Sequence, residues 1–280
     1  IYDKLGGGSP LLANTEAQAR ALEQALAGDG DFGETRCFVA MRYWHPFTDE
    51  TVRAVGEWSP DRILLLPLYP QYSPTTTESS LKLWHAEAAK AETAAARRQL
   101  PAEARPLYLF SAHGLPERTE TRRRDPYPPQ VRMTAQAVAT KLMLADGDWL
   151  TCFQSRVGPV KWIQPYTDDC VIEAGVLQRP VVVVPIAFVS EHSETLVELD
   201  LELWDLAEKA KVPGFARART VGTHPAFIGG LATLARAALA SGEDAARGAI
   251  ISEKGAGDAG RVCPADRTCC RTAFGGATAR

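Results

Sequence analysis

The sequence holds no apolar run approaching the roughly 20 residues that cross a bilayer. Its longest candidates, Ile63–Leu68 and Val181–Ala187, are short and contain or adjoin proline, so they read as buried strands. It also has no surplus of one charge: the net charge is −3 and the isoelectric point about 6.0, which excludes the basic face of a nucleic-acid binder. Neither a signal peptide nor a transit peptide opens the chain, which starts Ile1-Tyr2-Asp3-Lys4-Leu5-Gly6 without an initiator Met and so reads as a fragment or a processed form. No four-ligand zinc spacing occurs. The six cysteines do not make a disulfide framework either. Cys37 and Cys152 sit in apolar strand-like runs and Cys170 in a helix, as buried free thiols do, while Cys263, Cys269 and Cys270 cluster near the carboxyl end. This usage fits a reduced, cytoplasmic protein.

What is present is ordinary for a globular protein: 45% apolar and 23% charged residues over 280 positions, enough for one large or two ordinary α/β domains. Strand and helix patterns alternate. Strands are predicted at Arg36–Tyr43, Arg62–Leu68, Leu107–Ser111, Trp149–Gln154, Val181–Phe188 and, more weakly, Ala216–Val221. Between and around them, helices are predicted at Thr15–Leu26, Asp49–Glu57, Glu78–Arg98, Pro129–Leu144, Asp168–Gly175, Ser193–Lys211 and Phe227–Ala240. Strands apolar on both faces, alternating with helices, imply parallel sheets covered on both sides. The stretch Arg97–Pro106 is the expected domain junction. The half after it has four strands; the half before it has two, too few for a free-standing sheet. A first strand is therefore expected upstream of Ile1.

Ligands of open α/β sheets sit beyond the carboxyl ends of the strands. There the sequence places Arg42-Tyr43-Trp44-His45, Tyr69–Thr77, Ser111-Ala112-His113-Gly114 and Phe188–Glu194. His113 ends a strand and can serve as general base or metal ligand, since neutral imidazole does both near pH 7; a loop histidine held by a hydrogen bond is the alternative. Glu194, Glu198 and Glu202 recur at i, i+4 and i+8. On an α-helix that spacing stacks three carboxylates on one face, either as a solvated acidic face or as a path for cations and protons. Oxygen ligands with one imidazole suit Fe²⁺ or Mg²⁺ held loosely. Aromatics at strand ends, among them Tyr43, Tyr69 and Trp162, suit a flat apolar ligand, or simply pack loops on the core.

In family order from residue 1 to about 205, the chain carries Lys4–Pro10, Met41-Arg42-Tyr43-Trp44-His45-Pro46, Leu68–Ser73, Phe110–Pro116, Asp125–Pro128, Phe153–Pro159 through Trp162, and Pro185–Phe188 through Glu194-Thr195-Leu196. On these blocks it resembles the ferrochelatases. The resemblance implies two Rossmann-like domains, each a parallel sheet flanked by helices, here 1–102 (with its first strand missing) and 103–225. A carboxyl-terminal helix and Cys-containing tail, 226–280, would follow. It implies insertion of Fe²⁺ into protoporphyrin in a cleft that bends the ring, with His113 and Glu194 facing each other across it as base and opposing carboxylate and as ligands of the incoming iron. Glu198 and Glu202 would extend a metal or proton path. Arg42, Tyr43, Tyr69, Ser111, Trp162, Phe188 and His192 would contact or orient the ring.

Iron would be substrate, so no resident cofactor is needed for the chemistry. Some relatives bind a [2Fe–2S] cluster; here Cys263, Cys269 and Cys270 supply three thiolates, and the fourth would have to come from Cys37, Cys152 or Cys170. Porphyrin and ferrous iron are the implied partners, with peripheral membrane contact and an open oligomeric state. Two departures stand out: Arg124 where the family has glycine, and the absent first strand, which is expected to weaken porphyrin binding. Two other functions remain open at this point, a chelatase for another metal and tetrapyrrole, and a non-catalytic porphyrin or haem carrier.

Overall fold

The structure is a computed structural model that describes residues 2–27, 33–41, 43–68, 78–121, 125 and 127–240. Four strands, β1 (Leu107–His113), β2 (Trp149–Gln154), β3 (Val181–Pro185) and β4 (Phe215–Arg217), form one parallel sheet in the order β2-β1-β3-β4. The α/β class expected from the alternation is what the chain adopts.

Residue alternation along the strands divides the core in two, because successive side chains in a strand point to opposite faces. Tyr108, Phe110, Ala112, Val182 and Val184 face helices α1 (Leu11–Leu26), α3 (Glu78–Arg97), α5 (Tyr127–Lys141) and α9 (Pro225–Ala240). Leu107, Leu109, Val181 and Val183 face α6 (Thr167–Val176) and α8 (Leu203–Lys209). The connection from β2 crosses by α6 to β3, on the far side of β1. The topological switch therefore falls between β1 and β3, and their carboxyl ends frame the place where such sheets bind ligands.

α1 begins four residues earlier than predicted, since Pro10 presets the backbone of the first turn. It buries Gln18, Leu22 and Leu26, one face at a spacing of four. A short α2 (Thr48–Trp58) and α4 (Glu117–Thr121) complete the α-helices described before β2.

Three expectations are corrected. The predicted strands at Arg36–Tyr43 and Arg62–Leu68 form no ladder among the described residues; Met41 makes only an isolated bridge to Phe47. Leu64, Leu66 and Leu68 pack on the core while Ile63 and Leu65 are 56% and 80% exposed. The alternation thus records one buried face, whereas a strand also needs a hydrogen-bonded neighbour. The strand predicted to run to Phe188 stops at Pro185, which has no N–H to continue the ladder, and the one over Ala216–Val221 contracts to Phe215–Arg217.

The third correction reaches the site. The single helix expected over Ser193–Lys211 is broken into one turn of α-helix, α7 (Ser193–Leu196), a π turn at Glu198–Glu202, and α8. The Glu202 N–H donates to the Val197 carbonyl at 2.9 Å, a five-residue span, and the Leu203 N–H likewise reaches Glu198. Such π turns insert an extra residue and are frequent at functional sites.

Candidate active site

β1 runs two residues further than predicted, so His113 is its last residue, level with Gln154 of β2. It shares the face of Leu109 and Ser111. Its Nδ1 lies 2.7 Å from the Gly114 carbonyl. A carbonyl can only accept, so Nδ1 carries a hydrogen, and in the neutral ring Nε2 is the nitrogen with the free lone pair. Nε2 lies 3.8 Å from Glu194 Oε2. Both side chains are about one-third exposed, so the gap between them opens to the outside. Gly114 is required here: a Cβ would meet the Gln154 carbonyl oxygen at 2.9 Å and the Trp162 ring at 3.2 Å. The Tyr127 hydroxyl donates to the His113 carbonyl at 2.9 Å, and burial pushes that phenol far above its usual range.

Glu194 enters from the loop after β3. His192 caps α7: its Nδ1 accepts the Glu194 N–H at 3.0 Å, while Thr195 Oγ1 pairs with the His192 backbone at 3.1 Å. An Nδ1 that accepts leaves Nε2 as the N–H of His192. Burial lowers the pKa of His192, with Glu191 opposing and His113 adding to the effect. The two imidazoles are thus held in opposite senses, His113 through an Nδ1 that donates and His192 through an Nδ1 that accepts. Burial raises the carboxyl pKa of Glu194, against the pull of His113 and with help from Glu198. A carboxyl tuned upward in this way exchanges protons closer to neutral pH.

Gln154 ties these pieces together. Its Nε2 donates to the Glu194 carbonyl at 2.8 Å and to Glu198 Oε2 at 3.1 Å, and its Oε1 accepts the Ser111 hydroxyl at 2.7 Å. Glu198 also accepts the Ser155 hydroxyl at 2.6 Å. Below them, Arg217 binds Glu191 and Asp200, and the amides of Asn14 and Gln18 on α1 hold the carbonyls of Glu191 and Val189 at 2.8 Å each.

The structure therefore brings His113, Glu194, Glu198 and His192 together. Phe188 is buried with its ring 5.1 Å from His192, edge to face, so it supports that imidazole. Trp162 lies against Gly114, and its buried indole N–H meets no acceptor among the described residues. Two expectations change. Ser111, taken as a ring-orienting group, is fully buried and bonded to Gln154 and to Thr167 at 2.9 Å, so it braces Gln154 from inside the sheet. Glu202 does not continue a row with Glu194 and Glu198: the π turn intervenes, and its carboxylate pairs with Lys4 at 3.5 Å on the surface. Tyr43 lies on the loop before α2, 82% exposed.

Arg42, Tyr69, Cys263, Cys269 and Cys270 lie outside the described residues. Of the other thiols, Cys152 on β2 and Cys170 on α6 are free and buried side by side between the sheet and that helix. Cys37 is half-buried, and burial with the nearby Glu23 pushes its thiol up to about 11, which disfavours a thiolate ligand. Among the described residues no group of three His, Cys, Asp or Glu side chains is placed to hold a metal. The sequence reading missed Gln154, Ser155, Glu191 and Arg217 as site residues. The strand-end rule that found His113 points equally to Gln154 and Ser155; nothing local marks Arg217.

A family model described as Ferrochelatase matches residues 1–102 and 86–239. The ferrochelatase of Caulobacter vibrioides (strain NA1000 / CB15N) is 48% identical over 84% of this chain and 73% of its own length. That of Phenylobacterium zucineum is 45% identical over 98% and 82%, and that of Hyphomonas neptunium 42% over 95% and 76%.

Proposed function

The chain belongs to the ferrochelatase family, and from that premise we propose that His113 and Glu194 form the reacting pair of an enzyme that inserts ferrous iron into protoporphyrin to make haem. The activity is that of a lyase in haem biosynthesis, with porphyrin and Fe²⁺ as its substrates. The observation that carries the residue assignment is the 3.8 Å approach of His113 Nε2 to Glu194 Oε2, at the switch point of the sheet and open to the outside.

Metallation exchanges two pyrrole N–H protons for Fe²⁺, so the site needs a proton acceptor and an anionic group for the metal. His113 Nε2 is the acceptor. Glu194 guides the cation opposite it, and its raised pKa lets it hold a proton released in the exchange. Glu198, fixed by Ser155 and Gln154, extends the carboxylates one turn inward as the proton or metal path. His192 presents its Nε2–H to a ring nitrogen lone pair. Trp162 contributes an apolar wall. A bent macrocycle exposes its N–H groups and lone pairs out of plane, and the cost of bending is met by binding elsewhere on the ring. Arg42, Tyr43 and Tyr69 are assigned to that outer binding.

No helix among the described residues is long and apolar enough to cross a membrane. We assign the enzyme to the cytoplasm, with peripheral membrane contact as the delivery route of its greasy substrate; co-sedimentation with phospholipid vesicles tests this. A [2Fe–2S] cluster on Cys263, Cys269 and Cys270 is assigned no part in the chemistry, and visible absorption of anaerobically purified protein reports whether one is bound. For the pair itself, Glu194→Gln is expected to bind protoporphyrin, read by fluorescence titration, yet to lose iron insertion by at least about a hundredfold. A rate near that of the parent removes Glu194 from its role.

A further inference from the structure

Resting on the assignment of His113 and Glu194 above, we propose that Arg217 is a positioning residue for metal insertion, holding Glu194 and Glu198 in register from the far edge of the sheet.

The segment that carries both carboxylates cannot orient itself. α7 has four residues and is followed at once by a π turn. One isolated turn has almost no stability of its own, and a π turn is a poor competitor with the α-helix. The register of Glu194 against Glu198 must therefore come from outside the segment. In the observed turn Glu198 Oε2 reaches Gln154 Nε2 at 3.1 Å and the Ser155 hydroxyl at 2.6 Å.

Arg217 ends the edge strand β4, and its side chain is 9% exposed. Its guanidinium forks onto Asp200, with Nε at 2.7 Å from Oδ1 and Nη2 bonded to Oδ2, while Nη1 reaches Glu191 Oε1 at 2.6 Å and the Ala218 carbonyl at 3.2 Å. Glu191 additionally accepts the Thr220 N–H at 2.9 Å. These two acids bracket the reacting segment. Glu191 directly precedes His192, the residue that caps Glu194. Asp200 is central in the π turn, two residues beyond Glu198. A single planar group therefore fixes the segment at its entry and in its turn. Its partners come from separate stretches, so the clamp forms only when the loop after β3, the π turn and β4 are all in place.

A structural ion cluster would stabilise the fold and leave turnover per folded molecule alone. A positioning role predicts a different division. Lysine keeps the charge but cannot fork over two carboxylates. In the full chain, Arg217→Lys is expected to lower kcat for Fe²⁺ insertion at least tenfold, with the protoporphyrin KM within twofold and the melting temperature within a few degrees of the parent. Asp200→Asn, at a carboxylate one-third exposed and thus tolerant of substitution, is expected to lower kcat about threefold or more with the same unchanged KM. It carries the test alone if Arg217→Lys fails to fold. His113→Ala is measured alongside. If His113→Ala loses activity while the folded Arg217→Lys and Asp200→Asn proteins keep kcat within twofold, or raise only KM, the positioning role is overturned. If His113→Ala itself keeps its rate, the reacting pair is what fails.

Discussion

Replacing Gln154 by leucine isolates the network that joins the sheet to the reacting loop. Gln154 is 6% exposed, and leucine fills a similar volume without polar atoms. The orientation of its amide is fixed by its partners: the Glu194 carbonyl and the Glu198 carboxylate can only accept, so Nε2 faces them and Oε1 faces the Ser111 hydroxyl. The substitution removes two neutral hydrogen bonds, worth about 1 kcal/mol each, and one to a charged group, worth about 1.5–3 kcal/mol. Ser111 keeps Thr167 and Glu198 keeps Ser155, so neither is stranded. The expected loss is about 3.5–5 kcal/mol, read as a lower midpoint in urea at unchanged slope. Because the Glu194 carbonyl also loses its tether, kcat should drop about tenfold, equivalent to about 1.4 kcal/mol of barrier. A stability loss under about 1 kcal/mol together with kcat within twofold would refute the claim that Gln154 holds the reacting loop.

Two further expectations follow from the electrostatics. Burial raises the pKa of Glu194 above its ordinary 4.5, so between the unfolded and folded values the native state binds more protons and stability falls as pH rises through that window. Glu194→Gln should therefore melt higher than the parent at pH 7 and equally at a pH below 4.5; a lower melting temperature at pH 7 contradicts this. Cys37, with its thiol pushed up to about 11, should be about one per cent thiolate at pH 9, where an ordinary cysteine is half ionised. Peptide-resolved mass spectrometry should find it alkylated by iodoacetamide tens of times more slowly than a free thiol, and a rate within twofold of a free thiol would contradict the burial argument.

The sheet was legible in the sequence because its strands carry their own signal. Val181–Val184 is apolar on both faces, which only a strand covered from both sides requires, and β2 lies where its pattern placed it. The place of His113 at a strand's carboxyl end was legible as the polar residue closing an apolar run. The amino-terminal segments misled because alternation at Ile63–Leu68 records which face is buried and is silent about a hydrogen-bonding neighbour. The π turn was not legible either. Glu194, Glu198 and Glu202 carry α-helical spacing, and the extra residue comes from tertiary anchors, notably Asp200 on Arg217, which are 17 positions apart in the chain. Ser111 shares the face of His113, but it lies two residues back from the strand end, where Gln154 and Thr167 cover it.

The most direct test of the account is the initial rate of anaerobic Fe²⁺ insertion into protoporphyrin by His113→Ala, followed as loss of porphyrin fluorescence. With Nε2 gone, proton acceptance from the pyrrole nitrogens loses its base, and the rate is expected to fall at least about a hundredfold while the melting temperature stays near that of the parent. A folded His113→Ala protein that inserts iron at a near-parental rate would contradict the central assignment.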